Sequence, residues 1–170
     1  MATDKASIRW RGETLAARAA RVLAVACDPV IEVGSAASEL RCVREDPPGS
    51  GPLAALLAGT RALGSQGAVV LLACDLPFVE PPIISLLADW PGRQTVIPTV
   101  DGRLQYACAR YGPDALERAA IAFAAGERSL RCAGDGDRDE LSEAQWRAVG
   151  PANTFADVDT PADLRLLGLS

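Results

Sequence analysis

Ala68-Val69-Val70-Leu71-Leu72-Ala73-Cys74-Asp75-Leu76-Pro77 is a solid apolar run that stops on a carboxylate and is closed by a proline. A run this short, β-branched at its start and bounded by Gly67 and Pro77, predicts a strand buried on both faces, as in a parallel sheet covered by helices. Asp75 is then the first polar group past the strand's carboxyl end. Ligands of open α/β sheets bind in the crevice outside those ends, so an acid there is placed to hold a cation or a hydroxyl. An acid in a turn equally serves to shape the turn by bonding its own backbone. Position alone leaves both roles open.

The rest of the chain narrows the field. Its 170 residues suffice for one domain with its own core, and a single domain over residues 1–170 is expected. Hydrophobic residues at 49% and charged residues at 23% are ordinary for a globular protein. A net charge of -5 argues against a nucleic-acid surface or an anionic membrane as the main partner. A phosphorylated ligand remains open where a metal ion or helix N-termini supply a local positive field. No apolar stretch reaches the length of a membrane span and the N-terminus lacks a signal-peptide core, so a cytoplasmic protein is expected. The five cysteines are widely spread without a C-x-x-C pair, as small buried hydrophobes in a reducing compartment are. There is no histidine, which excludes Ser-His and Cys-His nucleophiles and leaves carboxylate, Lys and Arg chemistry.

Helical spacing of Leu15, Ala19, Val22, Leu23 and Ala26 predicts an amphipathic helix from Thr14. Strands follow at Val30 to Gly34 and Leu40 to Arg44. The Pro/Gly loop from Glu45 to Gly51 then feeds a helix opened by Pro52 and stopped by Gly64, with exposed backbone N–H groups at its start. After the central run, Pro81-Pro82 opens a helix through Trp90. Thr95 to Pro98 and Gln105 to Tyr111 read as strands around an Asp101-Gly102 turn, an antiparallel pairing signal. Pro113 to Ala124 is a further helix, and Gly126 to Arg138 is the least ordered-looking segment. Ser142 with Gln145 and Thr160 with Asp163 are capping-box signatures for two final helices. Alternating strands and helices place the chain in the α/β class with a mostly parallel sheet.

Three acidic spots fall at expected strand ends: Asp46, Asp75, and the pair Asp157 and Asp159. Alternation puts Asp157 and Asp159 on one face of an extended segment. Carboxylates converging there would suit Mg²⁺, which binds through one or two carboxylates plus substrate phosphates. An acid just before Thr160-Pro161 also favours a helix start through the helix dipole. Pro48-Gly49-Ser50-Gly51-Pro52-Leu53 matches neither G-x-x-x-x-G-K-[ST] nor G-x-G-x-x-G and reads better as a tight loop capping a helix. Lys5 by itself is an ordinary surface lysine, and Arg128 and Arg131 are candidates for an anionic substrate.

In order and spacing these pieces resemble the molybdenum cofactor guanylyltransferase family over nearly the whole chain. The matching stretches are Asp4-Lys5-Ala6 with Gly12-Glu13-Thr14-Leu15, Glu45-Asp46-Pro47 with Gly51-Pro52-Leu53, Cys74-Asp75-Leu76-Pro77, Gly126-Glu127-Arg128, and Asp157-Val158-Asp159-Thr160-Pro161. The resemblance implies a three-layer α/β/α Rossmann-like nucleotidyltransferase fold and the transfer of GMP from GTP to molybdopterin with release of pyrophosphate. It further implies that Lys5 contacts a GTP phosphate, that Asp46 contacts the nucleotide, and that Asp75 contacts the nucleotide and is the Mg²⁺ ligand. Transient contact with other molybdenum cofactor proteins, and a monomer or weak homo-oligomer, go with the same resemblance.

The family often carries asparagines where Asp157 and Asp159 stand, and Gln-Pro or His-Pro where this chain has Gln105-Tyr106. Its members begin with a buried strand and a loop of the form L-A-G-G-x-S-x-R-M-G, whereas here Asp4-Lys5 follows Met1 almost at once. The expectation is that the natural protein starts upstream and that the chain as given, without that strand and loop, is poorly folded or edge-paired, and inactive. A cytidylyl- or other nucleotidyltransferase for another phosphorylated acceptor, and a degenerate nucleotide-binding relative, are the alternative readings.

Overall fold

The computed structural model describes residues 5–64, 66–160 and 162–163. A short antiparallel ribbon, β1 (Arg9–Trp10) and β2 (Glu13–Thr14), ends on Thr14. Thr14 caps α1 (Leu15–Leu23), its hydroxyl accepting from the Ala17 N–H at 3.1 Å, so the helix begins where the apolar spacing begins. Two short strands, β3 (Glu32–Val33) and β4 (Cys42–Val43), pair in parallel. They occupy only the middles of the two stretches expected to be extended. Helix α2 (Pro52–Leu63) opens on Pro52 and stops on Gly64, whose φ of 63° is the left-handed cap that glycine supplies without strain.

The apolar run forms β5 (Val69–Leu72), followed by α3 (Pro81–Ala88). Next come β6 (Thr95–Val100), β7 (Arg103–Leu104) and β8 (Cys108–Tyr111), with Asp101 and Gly102 both at positive φ in the β6–β7 turn. Helix α4 (Pro113–Ala124), a short α5 (Arg131–Gly134), β9 (Arg138–Leu141) and α6 (Glu143–Arg147) complete the described elements. The expected capping box at Ser142 and Gln145 is present.

Three layers follow from alternation along the strands. Val70 and Leu72 of β5, with Val96 and Cys108, face a cluster holding Val22 of α1, Ile83, Ile84 and Leu87 of α3, and Trp146 of α6. Val69 and Leu71, with Ile97 and Ala109, face the opposite cluster, built on Leu53 and Leu56 of α2 and Ala115 and Ala119 of α4.

In the sheet β5, β6 and β9 point the same way, and β8, which lies between β5 and β6, runs against them with the two-residue β7. The short return from β6 through the β6–β7 hairpin reverses the chain before β8, which fixes that direction. Several expectations are corrected. Strand β5 is half-buried along its whole length, because β8 is its one strand neighbour among the described residues. The segment from Gly126 to Arg138 is ordered around α5. Ala133 is buried there, and a Cβ on Gly134 would lie 2.5 Å from the Tyr106 ring and 2.6 Å from Ile97, so only glycine allows this approach. Strand β9, Arg-Asp-Glu-Leu, has no apolar pattern and is extended because β6 pairs with it. The start of α2 is not bare backbone, since the Leu53 N–H donates to the Arg128 carbonyl at 3.3 Å. Asp4, Pro161 and the end of the expected last helix lie outside the described residues, although the Asp163 carboxylate accepts from the Thr160 N–H at 2.7 Å as the capping box requires.

Candidate active site

The chain turns sharply where β5 ends. The Leu76 N–H bonds back to the Ala73 carbonyl, and the Val79 N–H to that of Leu76, so residues 73–79 form two tight successive turns. The Asp75 carbonyl accepts from the Val158 N–H at 2.8 Å and draws the 157–159 segment across the end of the strand. Val158 is fully buried with Ile8, Trp10, Leu15 and Phe78, which leaves Asp157 and Asp159 exposed on the other face of this extended stretch.

Lys5 meets these acids at the strand end. Its Nζ lies 3.5 Å from Asp75 Oδ2 and also bonds Asp159 Oδ1, joining residues that are 154 positions apart in sequence. The hydrogen bond to Asp159 is the largest of the causes that hold the Lys5 ammonium above its ordinary value; burial opposes it, and the charge of Asp75 adds to it. The three side chains are 45, 27 and 57% exposed in the order Lys5, Asp75, Asp159, so the cluster is open to a ligand from solvent.

The turn is braced from beneath by a residue that sequence reasoning passed over. Arg18 is buried on the inner side of α1, where Leu15 and Val22 lie three residues before and four after it. Its Nε donates to the Pro77 carbonyl and its Nη2 bonds Glu80 Oε1 at 2.7 Å. The signal that could have found it is an arginine on the apolar stripe of an amphipathic helix, since a buried guanidinium needs acceptors waiting for it. Glu13 completes the brace; its hydrogen bond from Arg21 comes first among the causes that hold its carboxyl below the usual range.

The other candidate residues are dispersed. Asp46 is exposed on the loop after β4, at a cis Asp46–Pro47 peptide. Its neighbour Glu45 accepts from the Gly49 N–H at 2.9 Å and borders the same cavity as Lys5 and Asp75. That loop is the tight helix cap the sequence favoured, with Gly49 and Gly51 at φ 76° and 91°. Arg128 is exposed and lies over the Phe123 ring at 4.5 Å, and Arg131 is exposed on α5. Asp157 joins no cluster: among the described residues, no three Asp, Glu, Cys or His side chains are grouped for a metal. The donor set fits a hard cation nonetheless, because Asp75 and Asp159 already share one, the Lys5 ammonium. Two carboxylate oxygens with phosphates completing the sphere is the usual Mg²⁺ arrangement in such sites.

This layered α/β domain, with its polar cluster beyond a strand end, has the fold of solved nucleotidyltransferases. Molybdopterin-guanine dinucleotide biosynthesis protein A from Archaeoglobus fulgidus superposes with a TM-score of 0.74 at 21% identity, over 95% of this chain and 87% of that one. The 2-C-methyl-D-erythritol 4-phosphate cytidylyltransferase from Thermus thermophilus does so at 0.64 and 17%, over 95% and 90%. Within that class the sequence is more selective. Residues 1–139 match the MobA-like NTP transferase domain. The chain is 32% identical over 186 aligned positions to the probable molybdenum cofactor guanylyltransferase of Chloroflexus aggregans, covering 97% of this chain and 86% of that protein. It belongs to the MobA-like NTP transferase domain family.

Proposed function

We propose that this chain is a cytoplasmic guanylyltransferase whose residues 1–170 act as one domain, transferring GMP from GTP to molybdopterin. A phosphate oxygen of molybdopterin attacks the α-phosphorus of GTP, the new P–O bond forms, the bond to the β-phosphate breaks, and pyrophosphate leaves. The nucleophile is already ionised near neutral pH, so no proton acceptor is needed, which suits a chain without histidine. What remains for the protein is positioning and charge neutralisation.

The observation that carries this reading is the meeting of Lys5, Asp75 and Asp159 beyond β5. Lys5 holds a GTP phosphate once it is released from Asp159, and Asp46 contacts the nucleotide from the loop after β4. Asp75, with Asp159 beside it, would hold Mg²⁺, which neutralises the charge that builds on the leaving pyrophosphate. Arg18 keeps Asp75 in place through the Pro77 carbonyl. The test is pyrophosphate release from GTP with molybdopterin as acceptor. The reading requires release that depends on both Lys5 and Asp75, and equal rates for Asp75→Asn and the parent would overturn it.

A second reading has a specific observation in its favour, the fold shared with a cytidylyltransferase. The chain would then transfer CMP to another phosphorylated acceptor. A ligand that binds only the folded state raises thermal stability, so melting with GTP, CTP, ATP or UTP and Mg²⁺ separates the two. Stabilisation by GTP above the others supports guanylyl transfer, and by CTP overturns it.

A further inference from the structure

The Lys5 ammonium bonds Asp159 Oδ1 and lies 3.5 Å from Asp75 Oδ2, so one cation spans the two carboxylates that would hold Mg²⁺. The backbones of both acids are fastened independently of it. The Val158 N–H donates to the Asp75 carbonyl at 2.8 Å, and Val158 is fully buried. The Asp163 carboxylate accepts from the N–H groups of Asp159 at 2.9 Å and Thr160 at 2.7 Å. Lys5 is anchored at its other end, where its carbonyl accepts from the N–H of buried Ile8 at 3.1 Å. What is left free to move is the lysine side chain, a charge on a flexible four-carbon stem. The two carboxylates therefore stay together when the ammonium departs.

Two carboxylates and one ammonium leave this cluster a single negative charge. A divalent cation arriving alone either shares the carboxylates with the ammonium or must break its ion pairs. At about 4 Å a divalent and a univalent cation repel each other, even in water, by enough to lower affinity on the order of tenfold. A nucleotide changes the balance, because its phosphates offer the ammonium anionic oxygens of their own. We propose, resting on the nucleotidyl-transfer reading of this site, that Lys5 is a built-in counter-ion that bars bare divalent metal from Asp75 and Asp159 until a nucleotide phosphate draws the ammonium away. Metal and nucleotide are then coupled through one side chain, each raising the affinity of the protein for the other by the same factor, as linkage requires. No domain need move; a single ammonium exchanges carboxylate partners for phosphate ones.

The experiment is Mn²⁺ binding to the full chain without nucleotide, read from the electron paramagnetic resonance of the free ion. Lys5→Met keeps an unbranched stem and removes the charge, and is expected to tighten Mn²⁺ binding about tenfold. Lys5→Arg keeps the charge and is expected to stay within about twofold of the parent. The gain should vanish when Lys5→Met is combined with Asp75→Asn. Urea midpoints check that each variant is folded, and Lys5→Gln is the second neutral variant should Lys5→Met lower the midpoint. The proposal is overturned if the neutral variants bind Mn²⁺ no more tightly than the parent, if Lys5→Arg gains as much as they do, or if the gain survives Asp75→Asn. Such a failure leaves the dependence of pyrophosphate release on Lys5 and Asp75 untouched. With no nucleotide present, failure of guanylyl transfer leaves the Mn²⁺ result equally untouched.

Discussion

Strands β5 and β6 flank the same neighbour, β8, and are made of similar residues, yet they live in different surroundings. In β6, Thr95, Val96, Ile97 and Pro98 are all buried, held between β8 and β9 with helices on both faces. In β5, Val69 to Leu72 are each half-buried, with β8 on one edge and the cavity on the other. Val-Val-Leu-Leu is the more hydrophobic stretch and yet the less buried, so the number of flanking strands, not hydrophobicity, sets the difference from Thr-Val-Ile-Pro. One half of the molecule is thus finished as a core, and the other carries the polar cluster at its end. Stability is expected to reside in the first half and chemistry in the second.

The largest expected effect tests that division directly. Asp75→Asn should lower pyrophosphate release about 100-fold or more, the scale seen when one preorganised charge-stabilising group is lost. Because its ion pair with Lys5 is partly exposed, the same change should alter urea-unfolding stability by no more than about 1 kcal/mol. A comparable loss of stability would mean that the cluster holds the fold together and would erase the contrast.

Next in size is a matched pair of truncations. Ile97→Ala removes a fully buried side chain and should cost about 3 kcal/mol, whereas Leu71→Ala in half-buried β5 should cost about half of that, both read from urea midpoints. Equal costs would show that the cavity beside β5 is already filled in solution.

Arg18→Met probes the joint between the halves. It leaves the Pro77 carbonyl without its donor and Glu80 without its cation, although Glu80 is 43% exposed and can turn to water. A loss of about 1–2 kcal/mol is expected, together with a fall in activity that added GTP does not restore if the residue positions Asp75. An effect on stability alone would confine Arg18 to the core.

These contrasts also show what the sequence could and could not reveal. Local signals were read well: Thr14, Pro52, Gly64, Ser142 with Gln145, and the Asp101-Gly102 turn all do what their backbone chemistry demands. Strand β9 was invisible because its pairing with β6 is a property of tertiary structure and leaves no pattern in Arg-Asp-Glu-Leu. The burial of β5 was overestimated because an apolar run reports what a strand tolerates and not how many strands flank it. At the site, Asp75 was legible from its place after the apolar run. Lys5 joins the same site only through the family resemblance, and its ion pair with Asp159 was not legible, since 154 residues separate the two and no periodicity links them.

The smallest expected effect sharpens the picture of the open half. Glu32 precedes the loop it supports, accepting from the Ala37 and Ser38 N–H groups at 2.8 Å each and from the Ser38 hydroxyl at 2.5 Å. Burial pushes its carboxyl up, but the Ser38 hydroxyl and the backbone N–H groups together outweigh burial and hold it below its ordinary value of 4.5. Its folded-state pKa is therefore depressed, so its contribution is present above about pH 4.5 and lost as pH falls through the folded value. Glu32→Gln should weaken the protein by roughly 1 kcal/mol or less at pH 7, and the difference should shrink as pH falls below about 4.5, with urea midpoints as the measure.

The brace beneath the site also makes it visible to light. Trp10 packs edge-on to Phe78 with ring centroids 5.4 Å apart, three residues beyond Asp75, and the Arg18 guanidinium lies 4.8 Å from its ring centroid. The chain's other two indoles sit in the finished half, Trp90 bonded to Asp139 and Trp146 to the Thr99 carbonyl. A cation near the indole face and an aromatic edge against it both tune emission, and each is tied to the turn that carries Asp75. Trp10 is therefore an optical reporter of the strand end: movement of the turn that carries Asp75 is expected to shift its fluorescence.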